Sequence, residues 1–315
     1  MESVPPRDAR SEAELRARAL RGDDCEVQIL EPAPPAVSEP PWFADAEPEG
    51  GRIVRPYGPL EWQWQTLAAE DATLQAWCEE RWLGPYRRLG ALPLQFSTTR
   101  EALHVLAERV ISPARERANT KIGLRWTLGG FGTPFFAGDA QVRVEHGELI
   151  AQEGADARRG AITTLAEARA LLGPIATPSS DGENEASLVV DGNAATALAD
   201  LYGFATSILE ELRHDATEEL EPSRVQLWPE HFDVSVELGG EAAGKRAGYG
   251  VSPGDEAHPE PYLYVAPWSA VPPGKRWRAT GFAGAELDYT QLVDAPDQRA
   301  VALEFFRGCL GDLVG

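Results

Sequence analysis

The stretch that decides the fold runs from Ser223 to Trp268, SRVQLWPEHFDVSVELGGEAAGKRAGYGVSPGDEAHPEPYLYVAPW. Within it the runs SRVQLWP, FDVSVEL, RAGYGV and PYLYVAPW are rich in β-branched and aromatic residues and are separated by Gly, Pro and Asp. That pattern reads as strands joined by tight turns. Neighbouring strands linked this closely favour antiparallel pairing.

Working outward, Asp294 and Pro296 signal the start of a closing helix with Val301, Ala302, Phe305, Phe306, Cys309 and Leu310 on its buried face. Upstream, Leu198, Leu201, Tyr202, Ala205, Ile208, Leu209 and Leu212 recur at helical spacing and predict an amphipathic helix from about Ala194 to Arg213. A polar linker, GPIATPSSDGENEASLVVDG, precedes it. TTLAEARALLG before the linker is a short helix with a capping pattern at Thr164 and Glu167 and a stop at Gly173-Pro174. KIGLRWTLGGFGTPFF and AQVRVEHGELIAQ read as strands, with His146-Gly147 as a hairpin turn. Another capping pattern, Thr98 and Glu101, opens a helix carrying Leu103, Leu106, Ala107, Val110, Ile111 and Ala114, which Pro113 should kink or restart. DATLQAWCEERWLGPYRRLG is a further helix, ending at Gly84-Pro85.

The order of elements predicts an α+β fold, antiparallel sheets packed with helices, with a helical first part and a C-terminal helix. Residues 1–50, proline-rich and acidic, read as an extended or partly disordered arm, and residues 51–315 as one body. GGFGTPFF and AGYGVSP echo one another, which would divide the body into similar halves at about 98–175 and 190–315.

Composition narrows the function classes. A net charge of −21 repels phosphate backbones, and no basic stripe interrupts it, so nucleic acid is not an expected partner. No apolar run reaches membrane-span length, and the opening MESVPPRDARSEAELRARALRGDD lacks the pattern of a signal peptide; a cytoplasmic protein without a membrane partner is expected. The three cysteines, Cys25, Cys78 and Cys309, lie far apart and form neither a disulfide framework nor a cysteine-built zinc site. Arginine-dominated basic residues with abundant Ala, Gly and Pro suggest a GC-rich bacterial genome.

Chemistry concentrates around two histidines. In WPEHFD, Pro229 should end one strand, leaving Glu230, His231 and Asp233 at a strand edge. His231 and Asp233 would share a face, as an acid–base pair or a partial metal site does; the plainer reading is a corner in which both residues bond backbone. In SPGDEAHPEPYLYV, Ser252 to Asp255 is a turn by composition, and His258, Glu260, Tyr262 and Tyr264 would line one side of a strand mouth. The candidate catalytic residues are therefore His231, Asp233, His258 and Glu260, and the candidate ligand-binding residues Tyr249, Asp255, Tyr262 and Tyr264. A metal held by the two histidines with Asp233, Glu256 or Glu260 has the minimum donor set, but no H-x-x-x-H or H-E-x-x-H spacing supports it, and no cofactor is expected. His104 reads as a helix-flank residue and His214 as a cation near a helix end. TLGGFGTP is not a nucleotide fingerprint, and no G-x-S-x-G elbow occurs.

The layout SRVQLWPEHFDVSVEL, then SPGDEAHPEPYLYV, then FFRGCLGDL resembles an uncharacterised bacterial family with a domain of unknown function, over roughly residues 120 to 315. The resemblance implies the fold layout and the choice of residues, and no reaction. Three readings follow from the residues: binding of a polar or cationic small molecule or peptide in an aromatic and acidic groove; a hydrolase or isomerase using a histidine–carboxylate pair, with or without a metal; or corners that only shape the fold.

Overall fold

The computed structural model describes residues 28–32, 51–54, 88–127, 129–134, 136, 140–153, 156–176 and 187–315. The expected arm over 1–50 and the helix over 71–90 lie largely outside the described residues. Before residue 88 the described elements are β1 (Gln28–Pro32) and β2 (Gly51–Val54), paired antiparallel.

The body is α+β. Its first helix, α1 (Phe96–Leu106), runs through a π-helical turn at Ala107–Ile111 into α2 (Ser112–Asn119). Pro113 stands in the first turn of α2, directly after the π turn, where a residue without an N–H is tolerated. The helix starts earlier than the capping pattern suggested. Phe96 is buried and its amide bonds Pro93 O at 3.0 Å, so Thr98 falls inside the first turn and does not cap it.

Five strands follow, β3 (Arg125–Thr127), β4 (Gly130–Gly132), β5 (Ala140–Glu145), β6 (Glu148–Glu153) and β7 (Asp156–Ala161), in an antiparallel sheet whose order follows the chain. His146 and Gly147 turn the β5–β6 hairpin with φ of 50° and 85°, the left-handed pair that matches strand twist. Helix α3 (Leu165–Leu172) starts at Thr164, whose hydroxyl accepts the Glu167 amide at 3.2 Å. Helix α4 (Gly192–Asp215) is capped by Asp191.

The second sheet comprises β8 (Gln226–Trp228), β9 (Asp233–Leu238), β10 (Ala247–Ser252), β11 (Tyr262–Pro267) and β12 (Ala285–Asp288), again antiparallel and in chain order. Two helices close the chain, α5 (Tyr289–Asp294) and α6 (Gln298–Val314). The closing helix is opened by Asp297, which accepts the Ala300 amide at 2.9 Å, and not by Asp294, the last residue of α5. Among the described residues no helix is long and apolar enough to cross a membrane.

Helix α4 is the centre of the core. Tyr202, Ala205, Ile208 and Leu209 are fully buried, and the helix packs on α1, α6, β3 and β4 and on β9 and β10. The two sheets meet where Leu124 and Leu227 exchange backbone hydrogen bonds of 2.8 and 2.9 Å. Each half is thus a long helical stretch, a five-stranded meander and a closing helical part. The Gly-aromatic-Gly echo falls on β4, second in its sheet, and on β10, third in the other, so it does not mark equivalent strands.

Alternation along the second sheet separates its two faces. Val234, Val236, Leu238, Ala247, Tyr249, Val251, Leu263, Val265 and Ala285 are buried on the face towards the helices. The opposite face carries Asp233, Ser235, Gly250, Ser252, Tyr262, Tyr264 and Glu286.

Candidate functional site

That polar face floors a cavity of about 510 Å³, lined by His104, Glu230, His231, Asp233, Ser252, Asp255, Ala257, His258, Tyr262, Tyr264, Ala266, Gly281 and Phe282. Six residues singled out in the sequence therefore meet in one space: His231, Asp233, Asp255, His258, Tyr262 and Tyr264.

Asp233 is the deepest carboxylate, 4% exposed at the start of β9. The turn before it is held tightly. Pro229 to Phe232 link β8 to β9, with Trp228 opposite Asp233 as the last pair of the hairpin. Phe232 has φ of 55°, a conformation an aromatic residue rarely adopts, and three contacts fix it. Its amide bonds Trp228 O at 2.7 Å, its carbonyl accepts the Tyr202 hydroxyl at 2.6 Å, and its ring stacks parallel on His104 at 5.0 Å. Phe131 and Tyr202 close on the same ring edge to face. This clamp sets the direction in which His231 and Asp233 leave the turn.

The Tyr264 hydroxyl donates to Asp233 Oδ2 from two strands away. In register, Tyr264 on β11 faces Gly250 on β10, and Gly250 faces Ser235 on β9. A Cβ at Gly250 would stand 2.5 Å from the Tyr264 ring and hydroxyl, so only glycine leaves room for the phenol to lie across the sheet. Asp233 Oδ1 is buried with no hydrogen-bond partner. Burial raises the Asp233 carboxyl above its ordinary range, against the Tyr264 bond and the nearby His231, which favour the charged form. Tyr264 is pushed far up, first by burial and then by Asp233.

The other end is built on the loop between β10 and β11. Asp255 Oδ1 accepts the Ala257 and His258 amides, each at 2.7 Å, and Tyr262 donates to its Oδ2 at 3.2 Å. Burial opposes ionisation of Asp255, but the two amides and His258 outweigh it and hold the carboxyl below its ordinary value. Burial pushes the Tyr262 hydroxyl up to about 12. The His258 ring lies 4.5 Å from that of Tyr262, its Nδ1 3.7 Å from Asp255 Oδ1 and its Nε2 3.3 Å from Glu286 Oε2. The last pair is close but not aligned as a hydrogen bond, and both atoms are buried without such a partner. Thr280 holds the other Glu286 oxygen through its amide and hydroxyl, at 3.0 and 3.1 Å. Phe282 stands about equally far from Tyr262 and Tyr264, at 6.3 and 6.2 Å, and completes the aromatic wall.

Tyr249 and Glu260 do not join this group. Tyr249 is on the opposite face of β10, fully buried beside Phe306, because strand alternation pairs it with Val251 and leaves Gly250 facing the cavity. Glu260 is exposed. Pro261 separates it from the first strand residue, Tyr262, so the alternation does not reach back to it, and its charge acts on Tyr289 instead. Arg100, itself buried, donates to Pro259 O at 3.2 Å and ties this corner to α1.

No known protein family, no curated protein and no solved structure matches the chain. The geometry alone carries the functional argument. Among the described residues, no group of three or more His, Cys, Asp and Glu side chains is placed to hold a metal ion. His104, Ser252, Phe282 and Glu286 belong to the site or its support without having been singled out in the sequence. For Glu286 a signal existed, since AELD alternates as a fifth neighbouring strand would; for His104, one step from an apolar helix stripe, there was none.

Proposed function

We propose that this protein binds a small organic cation in the cavity beneath β9 to β12. The observation that carries the reading is Asp233 Oδ1, a buried acceptor without a partner at the end of an aromatic wall. A ligand N–H would satisfy that oxygen, and a positive charge would offset the cost of keeping the carboxylate ionised there. Tyr262, Tyr264 and Phe282 supply faces that attract cations, and no Lys or Arg is among the described lining residues. A cytoplasmic setting, in keeping with three scattered cysteines, belongs to the same proposal.

Calorimetric titration with butylamine and with butanol, its neutral counterpart, tests the reading. Butylamine should bind and butanol should not, and Asp233→Asn should weaken the amine at least about tenfold, the scale of a charge-assisted hydrogen bond. Equal binding of amine and alcohol, or no binding of either to folded protein, would overturn it.

A second reading, acid–base catalysis of a hydrolytic or isomerising reaction, draws on His258 standing between Asp255 and Glu286, in the same cavity as Asp233, a carboxyl whose protonation is favoured by burial. It requires turnover that disappears in both His258→Ala and Asp233→Asn; an inert panel of esters and amides would count against it.

A further inference from the structure

We infer that the ligand is elongated and carries an amine at each end, an aliphatic diamine or polyamine; this rests on the reading of the cavity as a cation site. The site has a second buried carboxylate oxygen besides that of Asp233. Glu286 Oε2 stands 3.3 Å from His258 Nε2, an ion-pair distance, but neither atom makes an aligned hydrogen bond. A ligand N–H directed at Glu286 Oε2 would supply the hydrogen bond that it lacks. The first Glu286 oxygen is already held by Thr280, so the second has a fixed position and does not swing away to solvent.

The two acceptor sites stand at opposite ends of the same sheet face. Asp233 is on β9 and Glu286 on β12, three strand spacings apart, or about 14 Å between strand axes. Side chains reach in from both ends and shorten the gap that a ligand has to bridge. Between them lie the rings of Tyr262, Tyr264 and Phe282, whose faces suit methylene groups and, by cation–π attraction, the inner ammonium of a polyamine. A single ammonium would satisfy one end and leave the carboxylate oxygen at the other without a hydrogen bond. A chain of spermidine length satisfies both and lays its carbons on the aromatic wall.

Calorimetry with butylamine, putrescine and spermidine on the wild-type chain and on Glu286→Gln tests this. Glutamine keeps an oxygen for Thr280 and removes the charge. Spermidine is expected to bind at least about tenfold tighter than butylamine, and Glu286→Gln should weaken spermidine by several-fold more than it weakens butylamine. If butylamine matches spermidine on the wild-type chain, or Glu286→Gln weakens the two equally, the two-ended ligand is wrong and the single-cation reading stands. If no amine binds the folded protein, both fall. Should Glu286→Gln fail to fold, the wild-type comparison decides alone.

Discussion

At Gly250 the absence of a side chain decides what Tyr264 does. The phenol crosses β10 at this point to reach Asp233, and any Cβ would stand 2.5 Å from the ring. Gly250→Ala should therefore displace Tyr264, deprive Asp233 of the hydroxyl that orients it, and weaken butylamine binding by at least about tenfold while the circular dichroism of the fold is retained. Unchanged affinity would mean that Tyr264 does not orient Asp233. A second prediction concerns protons. The native Asp233 carboxyl holds its proton more tightly than the unfolded chain does, so its contribution to stability is complete below the ordinary value of 3.8 and is lost as pH rises through the raised native value. Asp255, held below the same value of 3.8, works in the opposite sense: its contribution is present above that value and lost as pH falls. Denaturant unfolding at stepped pH should show Asp233→Asn relieving a loss of stability on the alkaline side of 3.8 and Asp255→Asn removing a loss on the acid side. Parallel profiles would refute the assignment. Much of this was legible residue by residue. His231 and Asp233, and Tyr262 with Tyr264, follow from residue spacing; Tyr249 could have been assigned inward, because Ala247, Tyr249 and Val251 form the apolar series and Gly248, Gly250 and Ser252 the other. His104 was not legible, because its role depends on a ring from a hairpin more than a hundred residues away.

Among the elements, the β8–β9 hairpin holds an aromatic residue in a strained backbone. Its last turn residue, Phe232, adopts a left-handed backbone at a cost of about 1–2 kcal/mol, and that cost is sustained by the burial of its ring among His104, Phe131 and Tyr202. Removing a buried phenylalanine costs about 3–5 kcal/mol. Burial therefore outweighs strain. Phe232→Gly, which relieves the backbone and removes the ring, should still lower stability by roughly 2–3 kcal/mol in urea titration. A neutral or stabilising result would show that the ring does not hold the turn. The strands themselves were visible from Pro, Gly and alternation, but this conformation was not. A proline announces the corner at Pro229; nothing in the local sequence says that the residue closing it is an aromatic with positive φ, because the compensation comes from α1, β4 and α4. Helix starts were misread for a related reason. Thr98 and Asp294 have the chemistry of caps, yet the buried Phe96 and the short helix α5 fix the ends elsewhere.

For the whole molecule, the excess of acidic residues acts on the same cavity from a distance. The chain carries a net charge of −21, and the described lining of the opening contains carboxylates and no Lys or Arg, so the field of the chain adds to that of the site and draws cations towards it. Long-range attraction and short-range contact respond differently to salt. At about 0.01 M the screening length is roughly 30 Å and the whole surface contributes; at about 0.15 M it shrinks to about 8 Å and only the nearest charges act. Contacts made inside the cavity, with Asp233 and with Glu286, are much less screened. Raising the ionic strength over this range should therefore slow spermidine association several-fold and leave its dissociation almost unchanged, with butylamine, carrying less charge, affected less in association. Stopped-flow measurement at stepped salt separates the two rates. If dissociation rather than association carried the salt dependence, the amine would be held at the exposed rim by Glu230 and Asp255, and the buried carboxylate of β9 would not be its anchor.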